Sequence, residues 1–415
     1  MEGEGTPIGS ISTPEDRRTR TGDPVVVRIG VEEEFHVIDV ESGALVPRAD
    51  AVLGRLSRRG SAYTQEFPQS VVESNSGVHA RLDELHADLT ASRRRLNEAA
   101  SAQGLAVMAA GAAPIARLGV VPATDDPRYH AMREEYRRVA DEQLICGAQV
   151  HVDIPDRDTA VRALCAINPW LPPLLALSAS SPYWLGADTG YASWRTMIWQ
   201  RWPTSGPAGC FGSAEEYDAA VEELIVSGVI SDPGMIYYDI RPSAHLQTLE
   251  LRICDACPRV ETVVLIAALF RALVVDASAQ AEADRDAGCD GRHEWLRTAT
   301  WRAARSGLEG DLIDPATHEP APAPDVVRGV LRRLRPTLEA QGDWDLVHDL
   351  ADEALARGSA AHRLRRAASE DDLLSAVDML LAETRGEDGA RTPLGPRRRP
   401  TRSRAEGMPA KAYRR

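Results

Sequence analysis

Lysine is all but missing: the chain has one, Lys411, near its C-terminus. That absence removes whole mechanisms. A Walker A loop needs its Gly-Lys pair, a protein kinase its strand lysine, and a pyridoxal-phosphate enzyme its Schiff-base lysine. Residues 1–410 can build none of them. Any phosphate handled here must be held by arginine, by main-chain N–H groups or by metal ions. The GxGxxG, GxSxG and HExxH patterns are also absent, which takes away the dinucleotide, α/β-hydrolase and zincin fingerprints.

Other absences bound the setting. The six cysteines are irregularly spaced and make no disulfide framework. Cys254-Asp-Ala-Cys257 is a lone CxxC without a nearby His cluster, so it reads as buried thiols rather than a zinc or redox site. Met1 to Pro24 lacks the apolar core of a signal peptide, and by eye no stretch approaches the roughly 20 apolar residues of a membrane span. The expectation is a cytoplasmic protein without a membrane partner. A net charge of −14 lacks the basic footprint needed to bind a polyanion, so no nucleic-acid partner is expected. Oligomeric state is not encoded legibly; a homodimer is the commonest default.

What is present begins with Arg28-Ile-Gly-Val-Glu32-Glu33-Glu34-Phe35-His36-Val37-Ile38, consecutive carboxylates inside a β-branched and aromatic run. Side chains alternate along a strand, so Glu32, Glu34 and His36 share one face and Val31, Phe35 and Val37 the other. Alone, such a strand is most simply an edge with solvated charges. The pattern recurs, however. Tyr63 to Gly77 carries acids at Glu66 and Glu73, with Pro68 interrupting any regular ladder between them. In Cys146 to Ile154, Gln149, His151 and Asp153 alternate strictly with Val150, Val152 and Ile154. Ile236 to Ile253 reads as two short strands joined at Pro242-Ser243, with Thr248, Glu250 and Arg252 on one face.

Between these lie helices. Leu82, Leu85, Leu89 and Leu96 predict one over roughly 79–103. Asp126-Pro127 opens another, Asp156 caps a third, and Ser213-Ala-Glu215-Glu216 is a capping box. Tyr183 to Gly212, dense in Trp, Gly and Pro, reads as an irregular ordered loop over a pocket. From Pro258 the chain is helical to about Arg385. The expected organisation is a disordered tail at 1–24, one catalytic domain at 25–385, and a disordered basic tail at 386–415 containing Arg397-Arg398-Arg399.

Three strands and a fourth acidic segment each put ionisable groups on one face. Backed by helices, they would make an antiparallel sheet whose polar side is a funnel lined by Glu32, Glu34, Glu66, Glu73, His151 and Glu250. Such carboxylates repel and cannot all ionise without compensation. Divalent cations resolve this, and oxygen ligands with one imidazole suit magnesium or manganese better than zinc. Arg195, Arg241 and Arg252 would then meet phosphate.

In that order, Gly30-Val-Glu32-Glu-Glu34, the Glu66/Glu73 pair, the strand ending in Val150-His151, and Thr248-x-Glu250-x-Arg252 resemble the glutamate-cysteine ligase superfamily. Tyr191-Ala-Ser-x-Arg195, Trp202-Pro203-x-x-Gly206 and Asp239-x-Arg241-Pro242-Ser243 are similar to its type 2 branch, the bacterial carboxylate-amine ligases. The resemblance covers roughly residues 28–275. It implies an α+β, glutamine-synthetase-like catalytic fold: a curved, mainly antiparallel sheet, a polar funnel taking ATP and magnesium, and a helical C-terminal part. It implies Glu32, Glu34, Glu73 and Glu250 as principal metal ligands completed by Glu66 and His151, Arg241 and Arg252 on phosphate, and Arg195 on a substrate carboxylate. The implied reaction joins glutamate to cysteine through an acyl phosphate, within thiol biosynthesis, behind a Trp/Gly/Pro lid that keeps water out. A metal-dependent hydrolase using the same carboxylate and His set, and a non-catalytic metal- or nucleotide-binding protein, stay open as alternatives.

Overall fold

The computed structural model describes residues 26–56, 62–283, 293–368 and 372–387. The tail expected at 1–24 lies outside the described residues, as does the tail expected at 386–415 apart from Gly386 and Glu387. Seven strands form the main sheet: β1 (Ile29–Asp39), β2 (Tyr63–Gln65), β3 (Val71–Asn75), β4 (Leu105–Met108), β5 (Ala148–Asp153), β6 (Ile240–Pro242) and β7 (Thr248–Leu251). Their order is β2-β3-β1-β5-β7-β6, with β4 joined to the second half of β1, and each pairing is antiparallel.

Register does the sorting of side chains. Glu34 lies opposite Glu73 on β3, Glu32 opposite Gln149 on β5, Gly30 opposite His151, His151 opposite Glu250, and Glu250 opposite Arg241. Directly opposed residues share a face, so the ladder carries one polar stripe across five strands. The other face presents Val31, Phe35, Val150, Val152, Leu249 and Leu251, all buried. Helices Leu82–Ser101 and Val260–Ala283 pack against the sheet and against each other there.

Most sequence expectations hold at the level of elements. Asp126 caps Pro127–Tyr136, Asp156 caps Arg157–Ile167, and Ser213 Oγ accepts from Glu216 N while the Glu216 carboxylate returns to Gly212 N. Four points differ. The segment expected to be helical from Pro258 also holds an antiparallel strand pair, Asp311–Ile313 with Pro320–Pro322. The Tyr183 to Gly212 stretch is not wholly irregular: Ser193 accepts from Thr196 N and starts a helix at Trp194–Trp199. Val260–Ala281 and Arg157–Ser178 are each long and apolar enough to cross a membrane, contrary to the reading by eye. Here 72% of each apolar window is buried inside the protein, where Val260–Ala283 serves as the central core helix. Finally, Cys165 and Cys210 form a disulfide, their Cα atoms 5.6 Å apart. Cys146, Cys254 and Cys257 are buried free thiols, as the CxxC reading expected.

Candidate active site

The polar stripe floors a cavity of about 1280 Å³. Each of the nine residues singled out from sequence lines it: Glu32, Glu34, Glu66, Glu73, His151, Arg195, Arg241, Glu250 and Arg252. His36, on the same parity of β1, does not. It is buried beside Cys146, with Nδ1 3.4 Å from Sγ, and burial lowers its imidazole to about 4. Glu33 points to the opposite side, where Arg93 holds it.

The carboxylates fall into two groups with opposite electrostatics. In the first, oxygens of Glu32 and Glu250 and a ring nitrogen of His151 lie within 4.8 Å of one another. His151 Nε2 is 3.2 Å from Glu32 Oε1, and Nδ1 is 3.0 Å from Thr248 Oγ1, which orients the ring. Burial works against the imidazolium, yet the Glu32 charge wins and raises His151 above its ordinary value. Burial would likewise raise Glu250, but Arg252 and Arg241 hold it well below the carboxylate range. Arg241 donates Nε to Oε2 at 2.8 Å and Nη2 to Oε1 at 3.2 Å, and Arg252 Nη1 also donates to Oε1. Arg241 is pinned further by the carbonyls of Gly234 and Ile236.

In the second group the bonded donors are main chain and neutral side chains rather than arginine. Burial, then the neighbouring Glu66 charge, pushes Glu34 up to about 7, against Arg195 and the Gly147 N–H. Burial, Glu66, Glu32 and Glu34 push Glu73 well above the ordinary range. Thr64 Oγ1 and Asn75 Nδ2 donate to Glu73 Oε1 at 3.1 and 3.0 Å, and Glu73 also meets the Glu66 carboxyl. Acids crowded and dehydrated this way are a place where a cation lowers the energy. The donor set, carboxylate oxygens with one imidazole, fits a hard divalent ion. Glu250 can share in it most readily through Oε2, which accepts from one arginine nitrogen, whereas Oε1 already accepts from two.

Walls close the cavity. Arg195 is 5% exposed; it donates to the Ile253 and Arg252 carbonyls at 3.1 Å each. Arg252 Nη1 reaches Gln149 Oε1 at 2.6 Å. Trp199, Trp202 and Tyr237 make an aromatic side, with Trp202 Nε1 bonded to Gln143 Oε1 at 2.8 Å. The stretch expected as a lid thus lines one side of the cavity. Opposite stand Phe67 and Tyr129 in an edge-to-face pair at 5.4 Å, and Arg128 paired to Asp232 at 3.2 Å. Sequence reading missed Arg128, Tyr129 and Asp232. Their available signal was weak, an aromatic and an arginine just inside a capped helix.

With this geometry in place, known proteins locate the chain. The model of the glutamate-cysteine ligase family 2 matches residues 28–379. The chain belongs to that family. Members similar to it include "Putative glutamate--cysteine ligase 2-2" of Frankia casuarinae, 56% identical over 364 residues, 88% of this chain and 42% of that protein. A Mycolicibacterium smegmatis protein of the same name is 49% identical over 86% of this chain and 89% of its own length. The chain thus spans less than half of the Frankia relative. Among solved structures, the glutamate–cysteine ligase of Francisella tularensis in complex with AMP superposes with a TM-score of 0.66 at 11% identity, over 89% of this chain and 91% of that one. A bifunctional glutathione synthetase from Pasteurella multocida gives 0.65 at 17% identity, over 87% and 52%. The family member therefore has the α+β, glutamine-synthetase-like fold that the sequence resemblance implied.

Proposed function

We propose that this chain is an ATP-dependent carboxylate–amine ligase that joins glutamate to cysteine through an acyl phosphate, within one catalytic domain spanning 25–385. The observation that carries this reading is the pairing of a crowded acid cluster, Glu34, Glu66 and Glu73, with a cationic flank, Arg195, Arg241 and Arg252, inside one cavity. The names of the relatives and the AMP in the Francisella complex point the same way.

Magnesium or manganese would be held by Glu32, His151 and Glu250, and by Glu34, Glu66 and Glu73, supplying charge neutralisation to ATP phosphates. The chain's own residues do the rest. Arg241 and Arg252, fixed by Glu250, present N–H groups to the transferring phosphoryl group. Arg195, held by main-chain carbonyls, sets positive charge beside the acid substrate. The substrate carboxylate oxygen attacks the γ-phosphorus and ADP leaves; the amine then attacks the acyl carbon, losing a proton and expelling phosphate. Trp199, Trp202 and Tyr237 exclude water that would hydrolyse the acyl phosphate.

The test is ADP release from ATP and magnesium, with glutamate and cysteine added singly and together. ADP formation that needs both amino acids and is lost in Glu32→Gln supports the proposal. No ADP with any acid and amine pair, from folded protein, rejects it.

A further inference from the structure

Trp199 closes the helix whose first turn carries Arg195, four residues earlier, so the two side chains lie on the same side of the helix. Its indole meets two cations. The Cζ of Arg195 is 5.6 Å from the ring centroid, and the Cζ of Arg252, arriving from the end of β7, is 5.7 Å away. Arg195 has engaged both terminal nitrogens, Nη1 with the Ile253 carbonyl and Nη2 with the Arg252 carbonyl, and Arg252 has engaged Nη1 with Gln149 and Glu250. In both, Nε is buried and has no hydrogen-bonding partner among the described residues. An unpaired buried N–H on a charged group is expensive unless something electron-rich faces it. Two like charges near each other in a dehydrated wall also repel. An aromatic face addresses both problems, because its quadrupole attracts each cation. The ring itself is held, 9% exposed and stacked at a tilt on Tyr237 at 4.9 Å.

We infer that Trp199 is a positioning residue, a shared aromatic platform that sets the spacing and orientation of Arg195 and Arg252 in the cavity wall. Its consequence for turnover rests on the ligase reading above; the platform itself does not. The inference separates Trp199 from its neighbour Trp202, whose Nε1 is bonded to Gln143 and whose packing is with Tyr136 and Tyr237. Substituting Trp202 should disturb packing without moving the arginines as a pair.

Two measurements test it. The first is independent of activity: Arg Nε–Hε resonances in the wild type, Trp199→Phe and Trp199→Leu. The platform predicts that Arg195 and Arg252 both show ring-current shifts, that both shifts persist in part in Trp199→Phe, and that both vanish in Trp199→Leu. Shifts unchanged in Trp199→Leu overturn it.

The second replaces Trp199 site-specifically with tryptophans of increasing fluorination, which drain the ring face without changing its shape, so folding is preserved. The expected result is a stepwise fall in kcat/KM across the series, reaching roughly 2- to 30-fold, the range a cation–π contact represents. A flat series in an active enzyme overturns the positioning role. Protein that shows the resonance pattern but no ligation with any acid and amine pair keeps the platform and rejects the ligase reading instead.

Discussion

Glu33 and Arg93 form an ion pair beneath the sheet, on the face opposite the cavity, with side chains 3% and 2% exposed. Arg93 completes its valence on the Pro258 and Cys257 carbonyls at 2.5 and 2.8 Å. Of the three successive glutamates on β1, the outer two thus serve the cavity and the middle one ties the sheet to helix Leu82–Ser101 and to the start of the core helix. Removing one partner strands a buried charge, so Arg93→Met should destabilise the protein by about 3–5 kcal/mol in urea unfolding. Adding Glu33→Gln to it should recover most of that loss. A single-variant loss under about 1 kcal/mol would show that the pair is not what holds this junction.

Gly147 is a second tight spot. A Cβ there would sit 2.5 Å from Arg195 Nη2, whose side chain has no slack because two carbonyls hold it. The same residue's N–H donates to Glu34 Oε2 at 2.5 Å. Gly147→Ala should therefore displace Arg195 and lower ligation by about tenfold or more, equivalent to roughly 1.4 kcal/mol. The unfolding temperature should fall as well, because a displaced Arg195 gives up its buried carbonyl partners. Unchanged kinetics would mean that Arg195 does not need its observed place.

Asp239 supplies a pH signature. Burial raises its carboxyl to about 7, with Arg195 only partly opposing. A folded-state value above the unfolded one means that the native state binds the extra proton, so stability falls as pH rises from about 4 through 7. Asp239→Asn removes that slope. The variant should gain stability relative to wild type at pH 8 and gain little at pH 4.5, measured by denaturant melts at both. An equal effect at the two pH values contradicts the assignment.

Divalent ions should stabilise the folded protein by ligand linkage, about 2.7 kcal/mol at a hundred times the dissociation constant. Magnesium or manganese should raise the unfolding temperature of wild type, and Glu32→Gln should blunt the rise. Wild-type and variant curves that respond alike would remove Glu32 from the ion site.

Much of this site was legible before any coordinates, because strand alternation is a strict rule: Glu32, Glu34, Gln149, His151 and Glu250 were placed on polar faces by parity alone. Register then had to bring those faces together, and Glu34 opposite Glu73 does so. What the sequence hid is of three kinds. Arg93 sits among Leu89 and Leu96 on the apolar stripe of its helix, a charge where none is expected, and that misfit was its signal. The engagement of Glu250 by two arginines depends on side-chain geometry across strands. The Cys165–Cys210 bond joins residues 45 apart, and nothing in their local patterns marks them as neighbours. The Trp/Gly/Pro stretch was legible only as a shaped segment over a pocket; that its Trp199 and Trp202 are buried in the cavity side depends on packing with Tyr237 from a distant part of the chain.

The most direct measurement of the central claim is isotope transfer. Glutamate carrying 18O in its γ-carboxylate is incubated with ATP, magnesium, cysteine and the protein, and the phosphate released is weighed by mass spectrometry. An acyl-phosphate ligase delivers one 18O to phosphate for each amide formed. Amide formation with unlabelled phosphate, or phosphate whose oxygen comes from solvent, would contradict the account.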